Sequence, residues 1–151
     1  MTGQPWFDDL YPGYRVSSAP RRVERDEIIA FARDWDPQPF HIDADLAKAS
    51  AFGQLVASGV HMHALMMRLG FDSNVLTGHA EIGLGLDGMR FLHPLLPGAT
   101  IRAVFTVLDL RPSASRPEHG VVRWQTDLVE EGGPELFTAR LANLYRRRGT
   151  G

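Results

Sequence analysis

The chain of 151 residues contains no cysteine. This absence excludes a thiol nucleophile, a disulfide framework and a cysteine-ligated metal, and it fits a reducing compartment. The hydrophobic fraction of 44% is ordinary for a globular protein and supplies one core without disulfides or a structural metal. Length and composition together predict a single domain over residues 1–151.

The sequence also lacks a long apolar run and an excess of charge of one sign. No apolar stretch is long enough for a bilayer, and Met1–Tyr11 has neither an early positive charge nor an apolar run. We therefore expect no membrane segment and no secretory signal, and the cytoplasm is the expected location. Sixteen basic residues face eighteen acidic ones, so nucleic acid is not an expected partner. The basic run Arg146–Arg148 is predicted to be a solvated C-terminal tail.

Hydrophobic periodicity divides the chain into a helical first half and a strand-rich second half. Apolar residues three and four apart predict a helix over Glu24–Trp35, and Asp43 is expected to cap a short helix after it. A second long helix is predicted over Ser58–Leu69, capped by Ser58 and ended by Gly70. Because this second helix is apolar on nearly all sides, we expect it to be buried.

After about residue 80 the hydrophobic period changes to two, which is typical of strands with one buried face. A turn at Gly132–Pro134 is expected to make the last two strands antiparallel neighbours. A buried helix followed by a meander of long strands predicts an α+β fold, with an antiparallel sheet wrapped around the helix. The predicted strands are Gly13–Ala19 and segments that contain Ile82–Leu86, Ile101–Val107, Val122–Leu128 and Phe137–Tyr145.

The segment after the first helix carries a carboxyl group and an imidazole close together. Pro37 and Pro39 predict a rigid non-helical turn that carries Asp36 and His41. Across such a turn both side chains can converge on one point, and this pair suits acid–base catalysis at neutral pH. The spacing alone leaves a second interpretation open, because Asp before Pro is a common turn former and a histidine after a turn is often only a hydrogen-bonded loop residue.

The segment Phe31–His41 resembles the hydratase motif of the MaoC-like and (R)-specific enoyl-CoA hydratase family, which runs from an aromatic residue through Asp, Pro and an apolar residue to His. Two later segments, Phe52–Gly53 and Val56–Val60, resemble the approach to that family's central helix. Leu95–Thr100 resembles the family's proline–glycine start of a long strand. The resemblance implies a hotdog fold, in which a curved antiparallel sheet wraps around a central buried helix.

The resemblance also implies a hydro-lyase that reversibly hydrates trans-2-enoyl thioesters to (R)-3-hydroxyacyl thioesters. Asp36 and His41 match the family's catalytic pair. They would hold one water at the β-carbon, with His41 taking a proton and Asp36 helping to deliver one to the α-carbon. The expected substrate is carried on CoA or on acyl carrier protein, and no cofactor or metal ion is expected. The family implies a homodimer or larger even-numbered assembly joined at the sheet edges, which also covers an edge strand.

Three further residues are candidates for binding the substrate or stabilising the thioester oxyanion. Gly59 begins the central helix, where free N–H groups and the positive end of the helix dipole favour negative charge. A simple helix-entry residue is an equally good interpretation of Gly59. Ser58 and Gln38 complete the set, although Ser58 is expected mainly to cap the helix and Gln38 mainly to brace the turn.

Two other functions stay open, a hotdog acyl-CoA thioesterase and a non-catalytic acyl-CoA-binding module. Hotdog thioesterases usually lack this Asp/His turn.

Two further motifs are set aside. The glycines of Gly83–Gly88 match G-x-G-x-x-G, but they lie within a predicted strand and no helix follows. His61 and His63 stand two apart on a predicted helix and so point to different sides.

Overall fold

The computed structural model describes residues 3–149, within which six strands form one antiparallel sheet. The helices are α1 (Arg25–Trp35), α2 (Pro39–Ile42), α3 (Ala44–Lys48) and α4 (Gly59–Asp72), and the strands are β1 (Arg15–Ser17), β2 (Arg21–Arg22), β3 (Ala80–Phe91), β4 (Thr100–Pro112), β5 (His119–Glu130) and β6 (Glu135–Arg146). The strand order is β1–β4–β5–β6–β3, and β2 also pairs with β4. Over residues 3–149 we find no helix with the length and apolar character needed to cross a membrane.

Helix α4 packs on the sheet and forms the centre of the hydrophobic core. Its buried side chains follow the three- and four-residue spacing of a helix and meet the inward side chains of β4, β5 and β6. The prediction that the helix is buried on nearly all sides is wrong for its other face, where Val60, Met67 and Phe71 are exposed. The buried apolar side chains of α4 are Met62, Leu65, Met66 and Leu69.

The end of α4 also differs from the prediction, because Gly70 lies inside the helix, which continues to Asp72. A Cβ atom at Gly70 would lie 2.6 Å from Leu76 Cδ1 and 2.7 Å from Phe105 Cζ. Both distances are shorter than carbon–carbon contact in a packed core. The glycine therefore allows close packing and does not end the helix.

The strands confirm the predicted period of two, with one exception at the edge of the sheet. β5 and β6 are antiparallel neighbours across the Gly132–Pro134 turn, as predicted. Among the described strands β3 pairs with β6 alone. Its side chains Ile82 and Leu84 are 39% and 51% exposed, so the face that was predicted to be buried is open in the isolated chain.

The basic run at the end of the chain is tied to the N-terminal segment. Arg148 lies 2.8 Å from Asp9, and Arg147 lies 3.9 Å from Asp8. The arginine side chains are solvent-exposed, as predicted for a solvated tail, but the run is not a free tail, because the fold places two acidic residues beside it. These pairs are partly exposed, and such ion pairs contribute at most about 1 kcal/mol each.

Candidate active site

Asp36 follows the last residue of α1 and is held by two hydrogen bonds. The helix ends here because Pro37 disfavours a helical conformation at the residue before it. Asp36 Oδ2 accepts a hydrogen bond of 2.6 Å from the Ser58 hydroxyl, and Oδ1 accepts one of 2.9 Å from the Gln38 side-chain amide. One donor is a near neighbour in sequence, whereas the other stands 22 residues away at the start of α4.

His41 lies on α2, a single helical turn that begins at Pro39. The prediction of a wholly non-helical segment is wrong here, because proline is well suited to the first helical position, where its missing N–H would have no partner. His41 Nδ1 lies 2.7 Å from the carbonyl oxygen of Val56. A carbonyl only accepts, so Nδ1 carries the hydrogen of the neutral ring and Nε2 carries the lone pair. Nε2 lies 3.4 Å from Asp36 Oδ2.

The surroundings of Asp36 favour its ionised form. Burial raises the pKa of the carboxyl, but the hydrogen bonds from Ser58 and Gln38, together with the positive charge of the protonated form of His41, outweigh burial and lower the pKa below the ordinary 3.8. Asp36 is therefore a carboxylate at neutral pH and can deliver only a proton that it has first received. The separation of 3.4 Å from His41 Nε2 is long for a direct hydrogen bond, and both atoms can contact one water molecule.

The pair opens onto a cavity of about 480 Å³ that is lined mainly by apolar side chains. The floor is buried, with Val56 1%, Met62 3% and His41 4% exposed. The rim is open, with Phe52 45% and Phe91 56% exposed. An apolar cleft with a few convergent polar groups is the usual form of a small-molecule site. The lining residues are Asp36, Gln38, Phe40, His41, Phe52, Val56, Ala57, Gly59, Val60, Met62, Phe91, Leu92, His93 and Pro94.

Gly59 is the first residue of α4 and lines this cavity. Its N–H belongs to the first turn, where backbone donors have no partner within the helix and the dipole is positive. A Cβ atom at Gly59 would lie 2.5 Å from Phe91 Cε1. The missing side chain therefore lets the Phe91 ring lie against the start of the helix.

Ser58 has a different position from the other residues predicted for the site. It is completely buried and does not line the cavity. Its hydroxyl oxygen accepts from the Val60 N–H at 3.2 Å and its hydrogen is donated to Asp36, so the predicted cap is confirmed. We therefore assign Ser58 to positioning Asp36 and not to substrate contact. The residues that were predicted for the site and do line the cavity are Asp36, Gln38, His41 and Gly59.

Residues 91–94 line the cavity but were not predicted from the sequence. They connect β3 to the following loop, in which the Leu95 carbonyl accepts a hydrogen bond from the Ala57 N–H at 2.9 Å. The sequence provided a partial indication of this part of the site, because Leu95–Thr100, which directly follows it, and Val56–Val60 both resemble segments of one family. Only the fold shows that the two segments touch.

His61 and His63 lie on different sides of α4, as predicted. The His61 ring stacks on Phe31 with centroids 4.3 Å apart, and the His63 ring lies 6.0 Å from the ring of Phe137. Burial lowers the pKa of both imidazoles, which favours their neutral forms. Neither lines the cavity.

Comparison with known proteins finds relatives that are named as dehydratases and hydratases. A family model described as "MaoC like domain" matches residues 11–128. The crystal structure of a MaoC-like dehydratase from Rhodospirillum rubrum superposes with a TM-score of 0.90 at 37% identity, covering 96% of this chain and 99% of that chain. This likeness confirms the expected hotdog fold.

Two curated relatives carry names that state a reaction. The (R)-specific enoyl-CoA hydratase of Rhodospirillum rubrum is 30% identical over 111 residues, which cover 71% of this chain and 72% of that protein. The mesaconyl-CoA hydratase of Haloarcula hispanica is 31% identical over 111 residues, which cover 73% of this chain. The match spans only 30% of the length of the latter protein.

Proposed function

Because the chain belongs to the MaoC-like dehydratase family, we propose that it is a hydro-lyase that reversibly adds water to the double bond of a trans-2-enoyl thioester, forming an (R)-3-hydroxyacyl thioester. The observation that carries the proposal is the 3.4 Å approach of His41 Nε2 to Asp36 Oδ2 beside a largely apolar cavity. The hydratase names of two relatives support the reaction class. CoA and acyl carrier protein present the same thioester arm, so either can carry the acyl group.

In the proposed reaction one water molecule lies between Asp36 and His41. The lone pair on His41 Nε2 takes a proton from this water while the water oxygen forms a bond to the β-carbon. Asp36 accepts a hydrogen bond from the remaining O–H and stabilises the imidazolium by its charge. The imidazolium then returns the proton to the α-carbon, so that the elements of one water have been added and both side chains regain their starting forms.

Negative charge develops on the thioester oxygen before the α-carbon is protonated. The Gly59 N–H is the donor that we assign to this oxygen, because it lies at the positive end of α4 and lines the cavity. A single donor of this kind typically contributes about 3 kcal/mol to transition-state stability. Dehydration follows the same path in reverse.

We also propose that the protein forms a homodimer in which β3 pairs with β3 of a second copy. Among the described strands β3 has one neighbour, and its apolar side chains Ile82, Leu84 and Met89 are exposed. An exposed apolar edge of this length is a liability unless another strand covers it. Phe91 stands on the same strand and lines the cavity, so the proposed partner lies close to the cavity rim.

Incubation with crotonyl-CoA tests the proposed reaction and separates it from the alternatives. Hydration removes the absorbance of the conjugated double bond without releasing thiol. Release of free CoA with the double bond intact would show a thioesterase instead. Binding of crotonyl-CoA with neither change would show a binding module.

A further inference from the structure

His93 is a titratable side chain of the cavity that the proposed chemistry does not use. It follows β3, is exposed, and lies on the same open part of the lining as Phe91 and Leu92. The catalytic candidate His41, by contrast, is 4% exposed. The lining contains no lysine or arginine. The exposed polar side chains of the lining are His93 and Gln38. Gln38 is tied to Asp36 through its amide, so His93 is the polar group that stands beside the apolar residues Phe91 and Leu92.

The backbone holds the His93 ring in one tautomer. Nδ1 lies 2.9 Å from the Glu135 carbonyl oxygen, which can only accept, so Nδ1 carries the hydrogen of the neutral ring. The neutral ring then presents Nε2 as an acceptor. Over residues 3–149 no hydrogen bond or ion pair to Nε2 is found. The backbone N–H of His93 donates to the Leu136 carbonyl at 3.3 Å, and this hydrogen bond anchors the same loop to β6.

The orientation of the proposed substrate indicates which of its groups lies near His93 Nε2. If the double bond lies at the buried pair on the floor, the rest of the thioester arm leaves through the rim. The arm of CoA and of acyl carrier protein is pantetheine, whose only strong donors near the sulfur are amide N–H groups. Apolar rim residues such as Phe52 and Phe91 cannot accept from an amide, and a donor left without a partner is costly.

We propose that His93 Nε2 accepts a hydrogen bond from an amide N–H of the pantetheine arm and so positions the thioester over the catalytic pair. This inference rests on the proposed function, because it takes the orientation of the substrate from it. His93 is then a substrate-positioning residue that is common to CoA and carrier-protein thioesters. The two carriers differ beyond the pantetheine, where His93 has no role.

Two substitutions distinguish the role of Nε2 as an acceptor from the role of Nδ1, which binds the Glu135 carbonyl. His93→Asn keeps a donor that can reach the Glu135 carbonyl but removes the acceptor at the Nε2 position. His93→Gln places an amide oxygen close to that position and serves as the matched control. We expect His93→Asn to weaken binding of butyryl-CoA, which has no double bond to hydrate, by about tenfold in isothermal titration calorimetry. His93→Gln should stay within about threefold of the wild-type protein.

The second readout compares two substrates that differ only in the arm. We expect His93→Asn to lower kcat/KM about tenfold for crotonyl-CoA and to leave it unchanged for the S-ethyl thioester of crotonic acid, which has no amide. An equal loss on both substrates, or no loss on either, would overturn the role of His93. If His93→Asn weakens butyryl-CoA binding but the wild-type protein hydrates neither substrate, the contact of His93 with the pantetheine arm stands and the proposed function fails. If the wild-type protein does not bind butyryl-CoA, both proposals fail.

Discussion

The Ser58 hydroxyl donates a hydrogen bond of 2.6 Å to Asp36 Oδ2 across 22 residues of sequence. The same hydroxyl oxygen accepts from the Val60 N–H and caps α4. A hydroxyl has one hydrogen and two lone pairs, so both contacts can exist together. One side chain therefore couples the orientation of the carboxylate to the helix start at which Gly59 presents its N–H.

Ser58→Ala is expected to raise the pKa of Asp36. Loss of the hydroxyl removes a hydrogen bond that lowers this pKa. Titration of the Asp36 carboxyl carbon by NMR should therefore show a midpoint at higher pH than in the wild-type protein. The lost cap should also lower the free energy of unfolding by about 1 kcal/mol.

Asp43→Ala is the control for Ser58→Ala. Asp43 caps α3 by accepting from the Asp45 and Leu46 N–H groups and makes no contact with Asp36 among its hydrogen bonds. Its replacement should cost similar stability, measured by urea unfolding, and leave the Asp36 titration in place. An unmoved Asp36 midpoint in Ser58→Ala would contradict the coupling to Asp36.

Asp36→Asn and His41→Asn should each reduce turnover of crotonyl-CoA by at least about a hundredfold. His41→Asn keeps a donor for the Val56 carbonyl while it removes Nε2, so the local backbone contact can persist. Butyryl-CoA binding, followed by calorimetry, should stay near the wild-type value in both variants. Activity within about tenfold of wild type in either variant would exclude the pair as the acid–base machinery.

Gly59→Ala should lower kcat/KM, because the new methyl group would lie 2.5 Å from Phe91 Cε1 and must displace the ring. The exposed position of Phe91 lets it move, so we expect only a small change in melting temperature. The double variant with Phe91→Ala should show a smaller activity loss than the two single losses combined, which a double-mutant cycle measures. Strictly additive losses would show that the Phe91 ring does not mediate the effect.

Leu84→Lys should convert the proposed dimer into a monomer. Leu84 is 51% exposed on β3, so a charged residue there leaves the core intact but opposes pairing with a second strand. Sedimentation velocity reports the change in mass, and circular dichroism checks that the fold is kept. Met67→Lys, on the exposed face of α4, offers a comparison away from the strand edge. A wild-type protein that sediments as a monomer would refute the dimer.

Local sequence patterns predicted most of the secondary structure. The spacing of apolar residues located α1 and α4, and the caps Asp43 and Ser58 stand where they were expected. The turn at Gly132–Pro134 also joins the two strands that it was predicted to join. These features depend on residues close together in the chain, which is why they can be read without a structure.

Local sequence patterns gave wrong predictions for the role of Gly70 and for the burial of β3. Gly70 looked like the end of a helix, but its role depends on Leu76 and Phe105, which pack against it from elsewhere. The apolar residues of β3 looked like a buried face, but the strand lies at the sheet edge. Neither position in the fold can be obtained from the period of the hydrophobic residues alone.

The sequence by itself determined the fold class and supplied Asp36 and His41 as a pair, because a helix end, two prolines and a recognisable motif lie within eleven residues. Only the tertiary structure decided what that pair can do. The Ser58 hydroxyl on Asp36 and the Val56 carbonyl on His41 set the ionisation of one group and the tautomer of the other. Residues 91–94, at the end of β3 and in the loop that follows it, complete the cavity. These contacts join segments that are separated in the sequence, so local patterns do not show them.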